Sequence, residues 1–150
     1  MTNAVRAIIF KDNNLLVMKR NKFGKEYCTL IGGGVDTGES IEEALVREVR
    51  EETGLLVNEF RKVFVEDAGP MYGVQHIFWC QYNGGEPVLS PDSEESKISQ
   101  LGQNTYTPMW LPLDDLVNSN FMSLSVKQAI LDACANGFPD EPKLLKYIHS

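Results

Sequence analysis

Cysteine is scarce in this chain, positive charge is outweighed, and long apolar runs are missing. The three cysteines, Cys28, Cys80 and Cys134, are an odd number at wide spacings. That excludes a disulfide framework or a cysteine-rich zinc site and suits reduced thiols in a cytoplasmic protein. No apolar stretch approaches the ~18 residues a membrane span needs, and the first residues carry no signal-peptide pattern. A soluble protein without membrane association is expected. Lys and Arg total 14 against 21 Asp and Glu, a net charge of −7. Long nucleic acid is therefore not an expected partner, because a grip on its backbone needs a basic face. A small anionic substrate remains compatible if metal ions supply positive charge locally. There is no internal repeat, low-complexity tract or linker, so one domain over 1–150 is expected. A homodimer is compatible with the sequence, which carries no signal for it.

What is present reads as interleaved strands and helices. Strands are expected at 5–10 and 15–19, joined by the turn Lys11-Asp12-Asn13-Asn14. A polar loop over 21–26 and a strand over 27–31 lead into Gly32, Gly33 and Gly34, read as a turn. Further strands are expected at 55–57, 63–66, 74–82 and 105–111. The 74–82 strand is apolar on both faces, which suggests a central position with helices on each side; His76 within it reads as a core histidine. Residues 90–103 read as a polar surface loop, 123–135 as an amphipathic helix, and 143–148 as a short helix. The interleaving implies an α/β (α+β) fold with a mixed sheet between helices.

One segment carries chemistry. Ser40 with Glu43 forms a capping box and Gly54 a stop, so a helix runs between them. Ile41, Ala44, Leu45 and Val49 form its buried stripe. Glu48, Glu51 and Glu52 are spaced i, i+3 and i+4, placing their carboxylates on one face, where like charges repel. A divalent cation would offset that repulsion, and the adjacent glycines allow backbone to approach a ligand closely. Hard cations such as Mg²⁺ take oxygen ligands and complete their shells with water and substrate phosphates. Metal-assisted hydrolysis of a phosphoanhydride is the chemistry such a set supports.

The same segment resembles the Nudix box, G-x5-E-x7-R-E-U-x-E-E-x-G-U with U a bulky aliphatic. Gly33, Glu39, Arg47, Glu48, Val49, Glu51, Glu52, Gly54 and Leu55 fill every specified position. The resemblance, to small MutT-like Nudix hydrolases, implies a Nudix-type α/β/α sandwich. It also implies divalent-metal-dependent cleavage of a nucleoside diphosphate linked to another moiety, with Mg²⁺ or Mn²⁺ as cofactor and a small-molecule nucleotide as substrate. By that resemblance Glu48 and Glu52 are the main metal ligands, Glu51 a further or bridging ligand, and the Gly32 carbonyl completes the site. Glu48 is a candidate base; Arg47 would hold carboxylates in place, pairing with Glu39 or Glu51. Relatives draw an additional acid from a distant loop, for which Glu94 and Glu95 are candidates, and place phosphate-binding groups on early strands, for which Arg6, Lys19 and Arg20 are candidates. Many relatives have proline where this chain has Ile31. The competing reading is a nucleotide-sensing module with this fold and no turnover; the intact carboxylate set argues against it.

Overall fold

Two strands, Asn3–Lys11 (β1) and Asn14–Lys22 (β2), send alternate residues into different apolar clusters. Val5, Ala7 and Ile9, with Leu16 and Met18, belong to one cluster, while Ile8, Leu15 and Val17 belong to the other. That is the two-residue period of a strand covered on both faces. The computed structural model describes residues 2–91 and 93–147. Its other strands are Lys25–Thr29 (β3), Ile31–Gly34 (β4), Phe60–Asp67 (β5), Val74–Cys80 (β6), Asn104–Pro112 (β7) and Lys143–Lys146 (β8). The helices are Ile41–Thr53 (α1), Gly69–Tyr72 (α2), Glu94–Ser99 (α3), Leu113–Leu116 (α4) and Leu124–Asn136 (α5).

The eight-stranded sheet runs β3-β2-β1-β6-β5-β8, with β4 against β1 and β7 against β2. β1 and β6 are parallel, as are β5 and β8, and the remaining pairs are antiparallel. Ala44, Leu45 and Val49 of α1 cover one face, and Val126 and Ile130 of α5 the other. The mixed sheet between helices is the architecture expected. β6 lies between β1 and β5, with Phe78 and Cys80 under α1 and Ile77 toward α5.

Several local expectations are corrected. The expected 21–26 loop is mostly strand: Phe23 and Gly24, at φ 53° and 91°, make a tight turn and Lys22 pairs with Lys25. Polar residues on that exposed hairpin hid its period. The glycines are not a turn either. Gly32, Gly33 and Gly34 lie in β4, paired with Arg6, Val5 and Ala4. Residues 55–57 form no strand, although Leu55 and Val57 are buried in the α1 cluster. The 90–103 loop contains α3, capped by the Ser93 side chain. The expected helix at 143–148 is instead strand β8, parallel to β5, with Leu145 inward and Leu144 outward; Ile148 lies outside the described residues. Sheet-edge pairing overrides the local helical reading there.

Candidate active site

Helix α1 is set at both ends by its own sequence. Ser40 and Glu43 exchange both bonds of a capping box, and Gly54 closes the helix at φ 75°, its N–H donating to the Arg50 carbonyl. This places two glutamates against the glycine strand rather than in solvent. Glu48 is 7% and Glu52 4% exposed. Glu52 Oε1 accepts the Gly32 amide N–H at 2.8 Å. Gly33 is bare because Glu48 needs its space: a Cβ there would lie 2.8 Å from the Glu48 carboxylate. Gly33→Ala is accordingly expected to push that flexible carboxylate aside. Thermal unfolding should shift little, within roughly 1 kcal/mol, while affinity for Mn²⁺ measured by titration calorimetry falls about tenfold or more.

A third carboxylate arrives from far along the chain. Oxygens of Glu48, Glu52 and Glu95 all lie within 4.8 Å of one another. Glu95 is carried by α3, whose approach is tied to α1 by backbone bonds from Val88 N–H to Thr53 O and Ser90 N–H to Glu51 O. Of the two acids expected from this segment, Glu95 therefore reaches the cluster; the side chain of Glu94 lies outside the described residues. Glu51 does not join the cluster. Its side chain is 41% exposed and accepts from Arg47 Nη1 at 3.1 Å.

Arg47 organises the outer rim. Its Nε and Nη2 donate to the two Glu39 oxygens at 2.7 and 2.9 Å, Nη1 to Glu48 at 3.0 Å, and Nη2 to the Gly34 carbonyl at 3.0 Å. The fork holds the Glu39 carboxyl down at about 2, helped by the Asp36 N–H, and the same bonds raise the guanidinium. Inside, the direction reverses. Burial raises the Glu48 carboxyl, opposed by Arg47 and reinforced by Glu95 and Glu51. Burial pushes Glu52 up to about 8, with Arg6 and the Gly32 N–H opposing and the Glu48 and Glu95 charges adding. Three converging oxygen donors with two of them nearly sealed from water fit a hard divalent cation, which would replace the protons such a cluster otherwise retains.

The early-strand cations fall in different places. Arg6 turns into the sheet: Nη1 donates to the Leu30 and Gly32 carbonyls at 3.1 and 3.3 Å, and Nε to Gln75 at 3.1 Å. The Gly32 carbonyl thus accepts from Arg6, while the Gly32 amide touches Glu52. Lys19 is exposed on β2. Arg20 stacks 3.6 Å from the Tyr106 ring centre and donates to the Tyr27 hydroxyl at 3.3 Å. Burial raises the Tyr106 hydroxyl, with Arg20 opposing and Glu95 and Glu52 adding, so this stack borders the carboxylates. His76 holds a polar bridge rather than a core position, with Lys62 and Asn3 each 3.0 Å from its ring nitrogens. Sequence reasoning missed the Arg20–Tyr106 stack, whose partners are 86 positions apart and share no spacing signal.

The NUDIX domain family model matches residues 1–131. This chain belongs to the NUDIX family. An ADP-ribose pyrophosphatase of Methanocaldococcus jannaschii is 38% identical over 103 residues, covering 65% of this NUDIX chain and 61% of the relative. The NAD-capped RNA hydrolase NudC of Escherichia coli is 30% identical over 83 residues, 55% of this chain and 32% of the relative. The matches thus span less than two thirds of those relatives' own lengths. Among solved structures, a NUDIX hydrolase from Nitrosomonas europaea has a TM-score of 0.69 at 21% identity, covering 91% of this chain and 90% of that one. An ADP-ribose pyrophosphatase from Streptococcus suis has 0.68 at 22%, covering 95% and 98%. These likenesses establish the shared fold. No helix among the described residues is long and apolar enough to cross a membrane.

Proposed function

We propose that this NUDIX chain is a Mg²⁺- or Mn²⁺-dependent pyrophosphohydrolase. Its substrate would be a nucleoside diphosphate linked to a further group, and its products a nucleoside monophosphate and the phosphorylated remainder. The observation that carries this reading is the convergence of Glu48, Glu52 and Glu95 beside the glycine strand. Similarity to an ADP-ribose pyrophosphatase and an NAD-capped RNA hydrolase supports the substrate class. Glu48, Glu52 and Glu95 would hold the cation, which when bound would screen the diphosphate's charge and lower the pKa of a water.

The protein's own groups then have separable tasks. Arg47, fixed by Glu39 and the Gly34 carbonyl, keeps Glu48 aimed inward. Glu51, outside the cluster, serves through Arg47 or as a base reaching in from the exposed rim. The Gly32 amide holds Glu52 in one orientation. Arg20, beside Tyr106, stands where it can meet substrate phosphate or stack under a ring. The free thiols of Cys28, Cys80 and Cys134 fit a reducing cytoplasm.

The test is a screen over nucleoside triphosphates, nucleotide sugars, ADP-ribose and dinucleoside polyphosphates, scored by chromatographic detection of the nucleoside monophosphate formed. Turnover is expected with Mg²⁺ or Mn²⁺ and should disappear in excess EDTA. Tight binding of a nucleotide with no turnover under either metal would replace this reading with a sensing role.

A further inference from the structure

Arg6 and Glu52 sit on opposite faces of the sheet. Along β1, Val5 and Ala7 belong to the cluster under α1, and Ile8 to the cluster under α5. The two-residue strand period puts Arg6 on the α5 side, where it lines a small cavity with Phe121 and Val126. Glu52 belongs to α1. The sheet therefore stands between the guanidinium and the carboxylates, and Arg6 acts on them through the backbone rather than by meeting substrate.

The side chain grips both neighbouring strands. Its Nη1 donates to two carbonyls on the β4 side, Leu30 at 3.1 Å and Gly32 at 3.3 Å. Its Nε donates to Gln75 Oε1 of β6 at 3.1 Å. Gln75 is 7% exposed, and its own amide donates to the Tyr72 carbonyl at 2.6 Å. A planar guanidinium suits this position because its donors diverge in fixed directions. A part-buried cation in the middle of a sheet costs desolvation, which these bonds offset.

What the fork holds is the residue least able to hold itself. Gly32 lies at φ 150° and has no Cβ to restrict its backbone. Contact with β1 excludes a larger residue there, since a Cβ would lie 1.9 Å from the Val5 carbonyl oxygen. That contact does not set the two peptide planes that meet at the glycine. Arg6 sets one through the carbonyl, and Glu52 Oε1 meets the other through the amide at 2.8 Å. The two bonds act on one Cα from opposite faces. With the carbonyl released, the glycine is free to rotate and its amide no longer locates the Glu52 oxygen. Glu52 converges with Glu48 and Glu95, and a hard cation such as Mg²⁺ tolerates little displacement of its oxygen ligands.

We propose that Arg6 is a positioning residue for the carboxylate site: by holding the Gly32 carbonyl from the α5 face, it fixes the amide that orients Glu52 for a divalent cation. This role presupposes the metal-dependent reading proposed above. Arg6 also acts on Glu52 by charge, opposing the burial that raises that carboxyl; a lysine at position 6 keeps the charge and loses the fork, so the two effects separate.

Mn²⁺ binding to the full chain, by titration calorimetry without nucleotide, tests the role apart from turnover. Arg6→Met keeps much of the side chain's length and removes every donor. Its Mn²⁺ dissociation constant is expected to rise about 10- to 100-fold, the range for loss of a group that orients a metal ligand. Arg6→Lys should fall between the parent and Arg6→Met. Ser123→Ala is the control for a purely structural loss. It removes the acceptor of the Val126 N–H at the start of α5, and should lower the melting temperature while leaving Mn²⁺ affinity unchanged. Folding of each variant is checked by circular dichroism. Unchanged or tighter Mn²⁺ binding by folded Arg6→Met would overturn the proposal, as would an equal loss of affinity in Ser123→Ala. If Arg6→Met does not fold, Arg6→Lys decides: a raised dissociation constant supports the role and parental affinity overturns it. A parent that binds no Mn²⁺ would remove the metal reading and this role together. Weakened Mn²⁺ binding in Arg6→Met, with no hydrolysis by the parent, would leave the role standing and remove the hydrolase reading; hydrolysis by the parent with parental Mn²⁺ affinity in Arg6→Met would do the reverse.

Discussion

Glu52→Gln is expected to reduce kcat by about 10²- to 10³-fold, because a ligand that fixes the cation's position contributes several kcal/mol to stabilising charge in the transition state. The protein should remain folded. Gln keeps the shape of Glu52 and can still accept the Gly32 N–H now at 2.8 Å. It also removes a charge that is 4% exposed and crowded by Glu48 and Glu95. Metal-free Glu52→Gln should therefore be at least as stable as the parent at neutral and higher pH. The sign follows from the raised carboxyl. A Glu at about 8 in the folded protein, against 4.5 as the ordinary value, binds its proton more tightly folded than unfolded. Its contribution is fully present below about 4.5 and is lost as pH rises through about 8. Melting temperatures in EDTA should fall across that window for the parent and fall less for Glu52→Gln, and added Mn²⁺ should recover the parent far more than the variant. Near-normal turnover in the folded variant would take Glu52 out of the site.

Gly32→Ala is expected to be the most destabilising single change in the segment, by about 4 kcal/mol or more, a size reached only by backbone strain or gross core disruption. A Cβ there would lie 1.9 Å from the Val5 carbonyl oxygen, and Gly32 sits at φ 150°. The obstacle is backbone in the middle of the sheet, where Gly32 pairs with Arg6, so no side chain can swing away. Gly34→Ala is the control: nothing lies within 4 Å of a Cβ at that position, and its φ is not in the left-handed range. Urea unfolding should show a large loss for Gly32→Ala and almost none for Gly34→Ala. Similar losses for both would mean that the strand tolerates bulk and that Gly32 is not constrained by packing.

The contrast between these glycines explains why local reading misassigned the segment. In sequence, Gly32, Gly33 and Gly34 look like a turn because glycine is the usual turn residue. In the fold they form a strand paired with β1 in which two of the three are small for separate reasons. Gly32 is closed off by Val5 and Gly33 makes room for Glu48, whereas Gly34 has open space at its Cβ position. Those reasons come from residues many positions away, and no local pattern carries them. Residues 143–146 were misread for a related reason. Lys-Leu-Leu-Lys is equally good in a helix or a strand, and pairing with β5 decided it.

The α1 helix, its two caps, its buried stripe and the carboxylate spacing are legible in the chain alone, because these depend on contacts within four residues. The layered mixed α/β architecture is legible too, through the two-residue period of β1 and β2 and the apolar faces of β6. Tertiary structure alone decided which carboxylates converge. Glu51, one residue from Glu52, turns to the rim and pairs with Arg47, whereas Glu95 arrives from more than forty residues downstream. Tertiary structure alone also brought Arg6, Gly32 and Gln75 together, since strand order is set by how the sheet buries both faces and by no short-range signal. The spacing of Glu48 and Glu52 is written locally; the third carboxylate, Glu95, comes from a segment that only the fold brings beside them.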